Sequence, residues 1–172
     1  MRRFQQPIVL IGLPGAGKST VGFALARRLN RPFYDIDHSA QSSDDHRFVE
    51  AESDPATAEG EWLERISWTS EPSVITAPWS QARSVVERGT SDRLVVFLDA
   101  GAETLSRRLS DDGVEDGVVD ELQAALSRDA DLLHQLAATA TVAVTTDGRP
   151  VDDIVDEIMP SVVPSDPDTE RR

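Results

Sequence analysis

Ile8-Val9-Leu10-Ile11-Gly12-Leu13-Pro14-Gly15-Ala16-Gly17-Lys18-Ser19-Thr20 is the stretch whose reading decides the fold. Its four leading apolar residues, three of them β-branched, read as a short strand buried on both faces, as in a parallel sheet. Residues 12–19 then satisfy the pattern Gly, four residues, Gly-Lys-Ser/Thr in full. Average residue frequencies make a chance match well under about 1% in a chain this long. The pattern has a physical reason. Gly12, Gly15 and Gly17 let backbone N–H groups converge on phosphate oxygens with no Cβ in the way. A helix starting here aims the positive end of its dipole at the same oxygens. Lys18 reaches the β- and γ-phosphates as a point charge, and Ser19 offers a hydroxyl to Mg²⁺. Pro14, Ala16 and Thr20 complete the nucleotide-contacting stretch.

Outward from the loop, strands and helices alternate. The pattern predicts strands over residues 7–11, 33–36, 73–77, 93–99 and 141–145. It predicts helices over 17–30, 56–67, 81–87, 102–109, 118–137 and 151–158. Apolar strands separated by helices point to a three-layer α/β/α P-loop NTPase fold with a central five-stranded parallel sheet. Ligands are then expected at the carboxyl ends of the strands. One domain over residues 1–160 fits the length of 172 residues, with a polar, proline-broken tail over 161–172 that reads as disordered. Residues 38–70 are the least patterned part and are expected to bind the acceptor. Residues 110–120 are expected to form a reduced lid.

Composition narrows the function. There is no cysteine, which excludes a disulfide scaffold. No apolar run approaches the ~20 residues of a membrane span. Arg2-Arg3 and the short apolar run after them lead into the glycine loop and not into a cleavage site, so a cytoplasmic protein is expected. The net charge of −14 argues against sequence-independent nucleic-acid binding. That charge is uneven: residues 1–34 carry six basic residues and no acid, while 35–172 carry 11 basic and all 31 acidic residues. Lys18 is the sole lysine among 17 basic residues. A chain with arginine everywhere else keeps lysine where a compact ammonium is needed and a planar fork does not substitute.

Residues 7–37 resemble the shikimate kinase family, within the small-molecule kinases of the nucleoside monophosphate kinase group. The resemblance rests on Ile8–Ile11 with the loop, Thr20-Val21-Gly22, Pro32-Phe33 and Asp35-Ile36-Asp37, and is weaker at Glu59-Gly60-Glu61, Leu94–Asp99 and Asp147–Pro150. It implies ATP and Mg²⁺ as cofactors, a small hydroxyl-bearing substrate, a monomer, and no nucleic-acid or membrane partner. It assigns Asp35 to the Mg²⁺ and Asp37 to the substrate hydroxyl. The arginine that pairs with the substrate carboxylate in these kinases falls at Arg65 counting from Gly60-Glu61, or at Glu64 counting on apolar spacing. Another falls near Arg128. Arg107 or Arg108 is expected at the ATP site, Arg149 in the adenine-contacting loop, and Trp79 in the acceptor pocket.

The chain also departs from the family. Ala77-Pro78-Trp79-Ser80 stands where the family has a Gly-Gly-Gly turn. The segment 111–120 holds no arginine. Asp99 resembles a Walker B acid. His38, His46 and His134 have no metal-ligand spacing. The activity expected is ATP-dependent phosphoryl transfer to a hydroxyl of a small metabolite. A diverged nucleotide-binding protein with weak or no kinase activity, a gluconokinase-like enzyme and a nucleotide kinase are the alternatives.

Overall fold

Ile8–Ile11 forms β1, every residue of it buried, and the other strands assemble around it. The computed structural model describes residues 6–36, 72–111, 122, 124 and 126–162. In chain order the elements are β1, α1 (Lys18–Leu29), β2 (Phe33–Asp35), β3 (Val74–Thr76), a 3-10 turn at Trp79–Gln81, and α2 (Ala82–Arg88). They continue with β4 (Leu94–Asp99), α3 (Ala102–Asp111), α4 (Ala130–Thr139), β5 (Val142–Thr145) and α5 (Val151–Val162). The five strands are all parallel, in the order β2-β3-β1-β4-β5. α1 leaves the loop with Val21, Leu25 and Ala26 buried, and basic Arg27 and Arg28 end the helix where its dipole favours them.

Strand periodicity divides the core in two. Ile8, Leu10, Val74, Leu94, Val96 and Leu98 face one side, with Val21, Leu25, Leu105, Ile154, Val155 and Ile158 from α1, α3 and α5. Val9, Ile11, Ile75, Val95 and Phe97 face the other, with Ala82, Val85, Leu132 and Leu136 from α2 and α4. Both faces are covered, which is why these strands read as continuous apolar runs and not as alternations. The helix after β1 therefore goes to the first face and the helix after neighbouring β3 goes to the second. That divergence opens a crevice over the carboxyl ends of β1 and β3, the topological switch point where open α/β sheets bind ligands.

Two expectations are corrected. The helix expected over 118–137 is not continuous: residues 126–128 are helical, Asp129 turns, and α4 begins at Ala130. Asp129 takes φ −105° and ψ 17°, and its carboxylate is bonded to Trp79 across the fold. The helix ending the chain's described part runs through Pro160 to Val162, where the disordered tail was expected to have begun. Pro160 lies in the last turn, so it removes few backbone bonds, and the fully buried Ile158 and Val162 hold that turn on the core. The expected helix over 56–67 and the rest of the expected tail lie outside the described residues.

Leu98 is fully buried near the end of β4, beneath the glycine loop. Leu98→Ala is expected to cost about 2–5 kcal/mol of stability through lost burial and the cavity left behind. The midpoint of denaturant unfolding measures it.

Candidate active site

The loop between β1 and α1 is built around its own carbonyl oxygens. Lys18 is 4% exposed, and its Nζ donates to Gly12 O at 2.9 Å and Leu13 O at 3.2 Å. The Ala16 amide also donates to Leu13 O, at 3.0 Å. From the other side, Arg108 Nη1 donates to Gly15 O at 3.0 Å, and Thr146 Oγ1 donates to Ala16 O at 3.2 Å. Arg108 is itself held by Thr146, through the hydroxyl at 3.0 Å and the carbonyl at 2.9 Å. Four loop carbonyls are thus fixed by internal donors. Because each peptide is planar and trans, fixing Gly12 O and Ala16 O aims the Leu13 and Gly17 N–H groups the opposite way, while Pro14 has no N–H and the Ala16 N–H is taken by Leu13 O. This presents the loop as a donor surface, the polarity that phosphate oxygens require.

The glycines make the path possible. Gly15 and Gly17 have φ of 81° and 91°, in the left-handed region, and Gly17 is the N-cap of α1. At Gly12 the constraint is contact instead: a Cβ there would sit 2.4 Å from Leu98 O.

Across the crevice, Asp35 ends β2. The hydroxyl of fully buried Thr76, on β3, donates to Asp35 Oδ1 and accepts from the Ile36 amide at 3.2 Å. Asp35, Thr76 and Leu10 lie in one register row across β2, β3 and β1, which places the carboxylate two strand spacings, about 10 Å, from the strand that feeds the loop. Ser19 and Asp35 are both oxygen donors. A hydroxyl and one held carboxylate suit Mg²⁺, which is held through few protein oxygens together with the phosphates of a bound nucleotide.

A third wall comes from the loop after β5. The Asp147 carboxylate accepts from the Gly101 amide at 3.0 and 3.1 Å, tying this loop to the start of α3. The hydroxyl of Thr104, and then the Gly101 amide, hold its pKa below the ordinary carboxylate value.

The structure brings together Gly12, Pro14, Gly15, Ala16, Gly17, Lys18, Ser19 and Thr20 in one loop and helix start, with Asp35 opposite. The guanidinium against the loop is that of Arg108; Arg107, one position round α3, is exposed. Arg149 turns to α5, donating to Thr145 O at 3.1 Å and pairing with Glu157 at 2.6 Å. Trp79 follows β3 and lies at the same end of the sheet as Asp35. Asp99 ends β4 with an exposed side chain, while its carbonyl accepts from the Thr146 amide. Asp37, Arg65, the acceptor region 38–70 and all of the lid segment past Asp111 lie outside the described residues. Sequence reasoning missed Thr146 and Thr76. Thr76 ends β3 as a hydroxyl after Val74-Ile75, which is a signal available, whereas Thr146 is hidden beside Thr145 and Asp147; their partners lie 41 and 130 residues away.

Comparison with known proteins agrees with this geometry. The family model for shikimate kinase matches residues 14–163. A shikimate kinase from Paracidovorax citrulli is 37% identical over 125 residues, 65% of this chain and 66% of that protein, so the chain spans just under two thirds of it. One from Symbiobacterium thermophilum is 34% identical across 178 aligned positions, 88% of this chain and 93% of the relative. The solved shikimate kinase from Bacteroides thetaiotaomicron superposes with a TM-score of 0.66 at 26% identity, covering 90% of this chain and 96% of the other.

Two outcomes follow from the geometry. Gly12→Ala forces a methyl onto Leu98 O, so it is expected to cost about 1–3 kcal/mol and to weaken nucleotide binding as the loop shifts off its anchors; unfolding curves and a binding titration measure both. Asp147→Asn is expected to be less stable than the parent at neutral pH. Because the native pKa of Asp147 is depressed, its stabilisation is present above the unfolded value of 3.8 and is lost as pH falls through the native value. The two proteins' unfolding midpoints are therefore expected to converge as pH falls through the native value.

Proposed function

The chain belongs to the shikimate kinase family, phosphotransferases with an alcohol group as acceptor, and from that premise we propose that it moves the γ-phosphoryl of ATP to a hydroxyl of a small metabolite. The observation that carries this reading is the pair of facing elements at the β1/β3 crevice: a loop whose carbonyls are pinned back by Lys18, Arg108 and Thr146, and a carboxylate, Asp35, held by a buried hydroxyl. One side is a phosphate cradle and the other an oxygen donor for Mg²⁺ or its bound water.

Each residue has a role in positioning and charge stabilisation, the two contributions phosphoryl transfer needs from a protein. The loop amides and the α1 N-terminus bind phosphate oxygens. Lys18, within reach of the loop rim, supports the charge on the transferred group. Ser19 and Asp35 hold Mg²⁺, which when bound neutralises charge between the phosphates. Asp37 orients the acceptor hydroxyl, with Arg65 and Trp79 as further acceptor contacts. Arg108, which lines the loop, is the cation assigned to the nucleotide phosphates, with Arg107 and Arg149 as further cofactor contacts. The protein acts as a monomer in the cytoplasm; among the described residues no helix is long and apolar enough to cross a membrane.

The test is turnover of MgATP with a panel of hydroxyl compounds, shikimate and gluconate among them, beside Lys18→Ala. The variant is expected to lose on the order of 10²–10³ in kcat, the usual effect of removing one preorganised charge from such a site. Tight MgATP binding with no acceptor-dependent turnover would overturn the kinase assignment and leave a nucleotide-binding protein. Absence of MgATP binding would overturn both.

A further inference from the structure

The turn after β3 forms the second wall of the β1/β3 crevice, and a single side chain dominates it. The Ala77 amide donates to Leu10 O at 2.9 Å, so the turn is stitched to the strand that feeds the phosphate loop. Pro78 is buried, and Trp79, half-buried, packs against both core clusters. A residue touching the clusters of both sheet faces stands over the strand ends, where the two faces meet. Its indole Nε1 donates to Asp129 Oδ2 at 3.1 Å.

Asp129 is unusual for its place. It is the N-cap of α4, yet its carboxylate makes no capping bond; it is drawn to Trp79 instead. Arg128 approaches it at 3.3 and 3.4 Å, long contacts from a guanidinium that is 67% exposed. The Asp129 side chain is 16% exposed. Hydrogen bonds from Arg128 and then from Trp79 keep its pKa below the ordinary carboxylate value, with the charges of Arg128 and exposed Arg83 adding to that, so it is an anion at neutral pH. The anion is held in place by a part-buried ring, whereas the cations nearby are solvated and screened.

We propose that the Trp79–Asp129 pair is a specificity-determining wall of the acceptor site, selecting hydroxyl acceptors that carry no negative charge on the β3 side of the crevice. The proposal rests on the kinase assignment and names its substrate class: neutral polyols, or alcohols bearing an amine. The indole supplies a flat apolar face for a ring or carbon chain. The fixed carboxylate accepts hydrogen bonds from hydroxyl or ammonium groups and repels a carboxylate. The −14 charge of the chain is thus matched, at this wall, by a local preference against anionic acceptors.

The experiment is a comparison of kcat/KM for anionic acceptors (shikimate, gluconate) and for neutral polyols and amino alcohols, in the parent protein, Asp129→Asn and Trp79→Phe. Thermal unfolding and MgATP affinity are measured alongside in each. Asp129→Asn keeps an acceptor for the indole and removes the charge. Its ratio of anionic to neutral kcat/KM is expected to rise about tenfold, on the scale of one charge removed at contact-to-second-neighbour range. Trp79→Phe keeps the ring and removes the bond, and is expected to raise the ratio less. Raising ionic strength is expected to narrow the gap in the parent and not in Asp129→Asn, a response that a purely structural role does not produce. Turnover with the same ratio in parent and Asp129→Asn, or a parent that prefers the anionic compounds, overturns the wall and leaves the kinase assignment standing. Turnover of none of the compounds overturns the kinase assignment and the wall with it.

Discussion

The carbonyl oxygens of the loop between Gly12 and Ala16 must be turned away from the ligand, and much of the site is arranged to do this. This stretch carries more acceptors than donors, since Pro14 has no N–H, and only the donors suit a phosphate. Lys18 takes Gly12 O and Leu13 O, Arg108 takes Gly15 O, and Thr146 takes Ala16 O. These anchors come from α1, α3 and the loop after β5, three parts of the chain that together span more than a hundred residues. The loop is therefore a tertiary feature even though its sequence pattern is local. It also explains why Leu98 matters twice: its side chain fills the core beneath the loop, and its carbonyl leaves no room for a Cβ at Gly12.

The sheet order sets what faces the loop. With β3 between β1 and β2, the residues that follow β3 and end β2 stand opposite the phosphate cradle. Thr76 and Asp35 form one part of that opposing wall, and Trp79 with Asp129 forms another. The first is suited to a metal ion or its water. The second combines an aromatic face with a held negative charge. A hydroxyl acceptor between them meets a cation-rich side that binds phosphate and a side that discriminates by charge. The charge asymmetry of the chain, with no acid before residue 35 and all 31 acids from Asp35 on, is the sequence-level form of the same division.

Much of the fold was legible. The alternation of apolar strands and amphipathic helices placed all five strands within a residue or two, most plainly the buried β1, β3 and β4, which are written as nearly continuous apolar runs. The pattern predicts one helix over 118–137 because Leu122, Leu126, Leu132, Leu133 and Leu136 keep a helical spacing on both sides of Asp129; at the break Asp129 bonds Trp79 on another element. The pattern ends the last helix at residue 158, but burial of Val162 outweighs the one backbone bond that Pro160 removes. In the site, the choice between Arg107 and Arg108 turns on the rotation of α3, which Leu105 and Leu109 set by their burial. Spacing alone left that phase open.

By itself, then, the sequence determined the phosphate loop, its lysine, the parallel α/β class and the family. Each of these depends on contiguous residues whose types are dictated by local chemistry: glycines where the backbone must approach or take positive φ, an ammonium at the loop end, β-branched residues in a doubly covered sheet. Only the tertiary structure decided which groups hold the loop carbonyls, which hydroxyl holds Asp35, and that Trp79 and Asp129 meet. Those pairings join residues 41 to 130 positions apart. A hydrogen bond specifies distance and direction in space, and chain folding brings such partners together without leaving a periodic trace in the sequence.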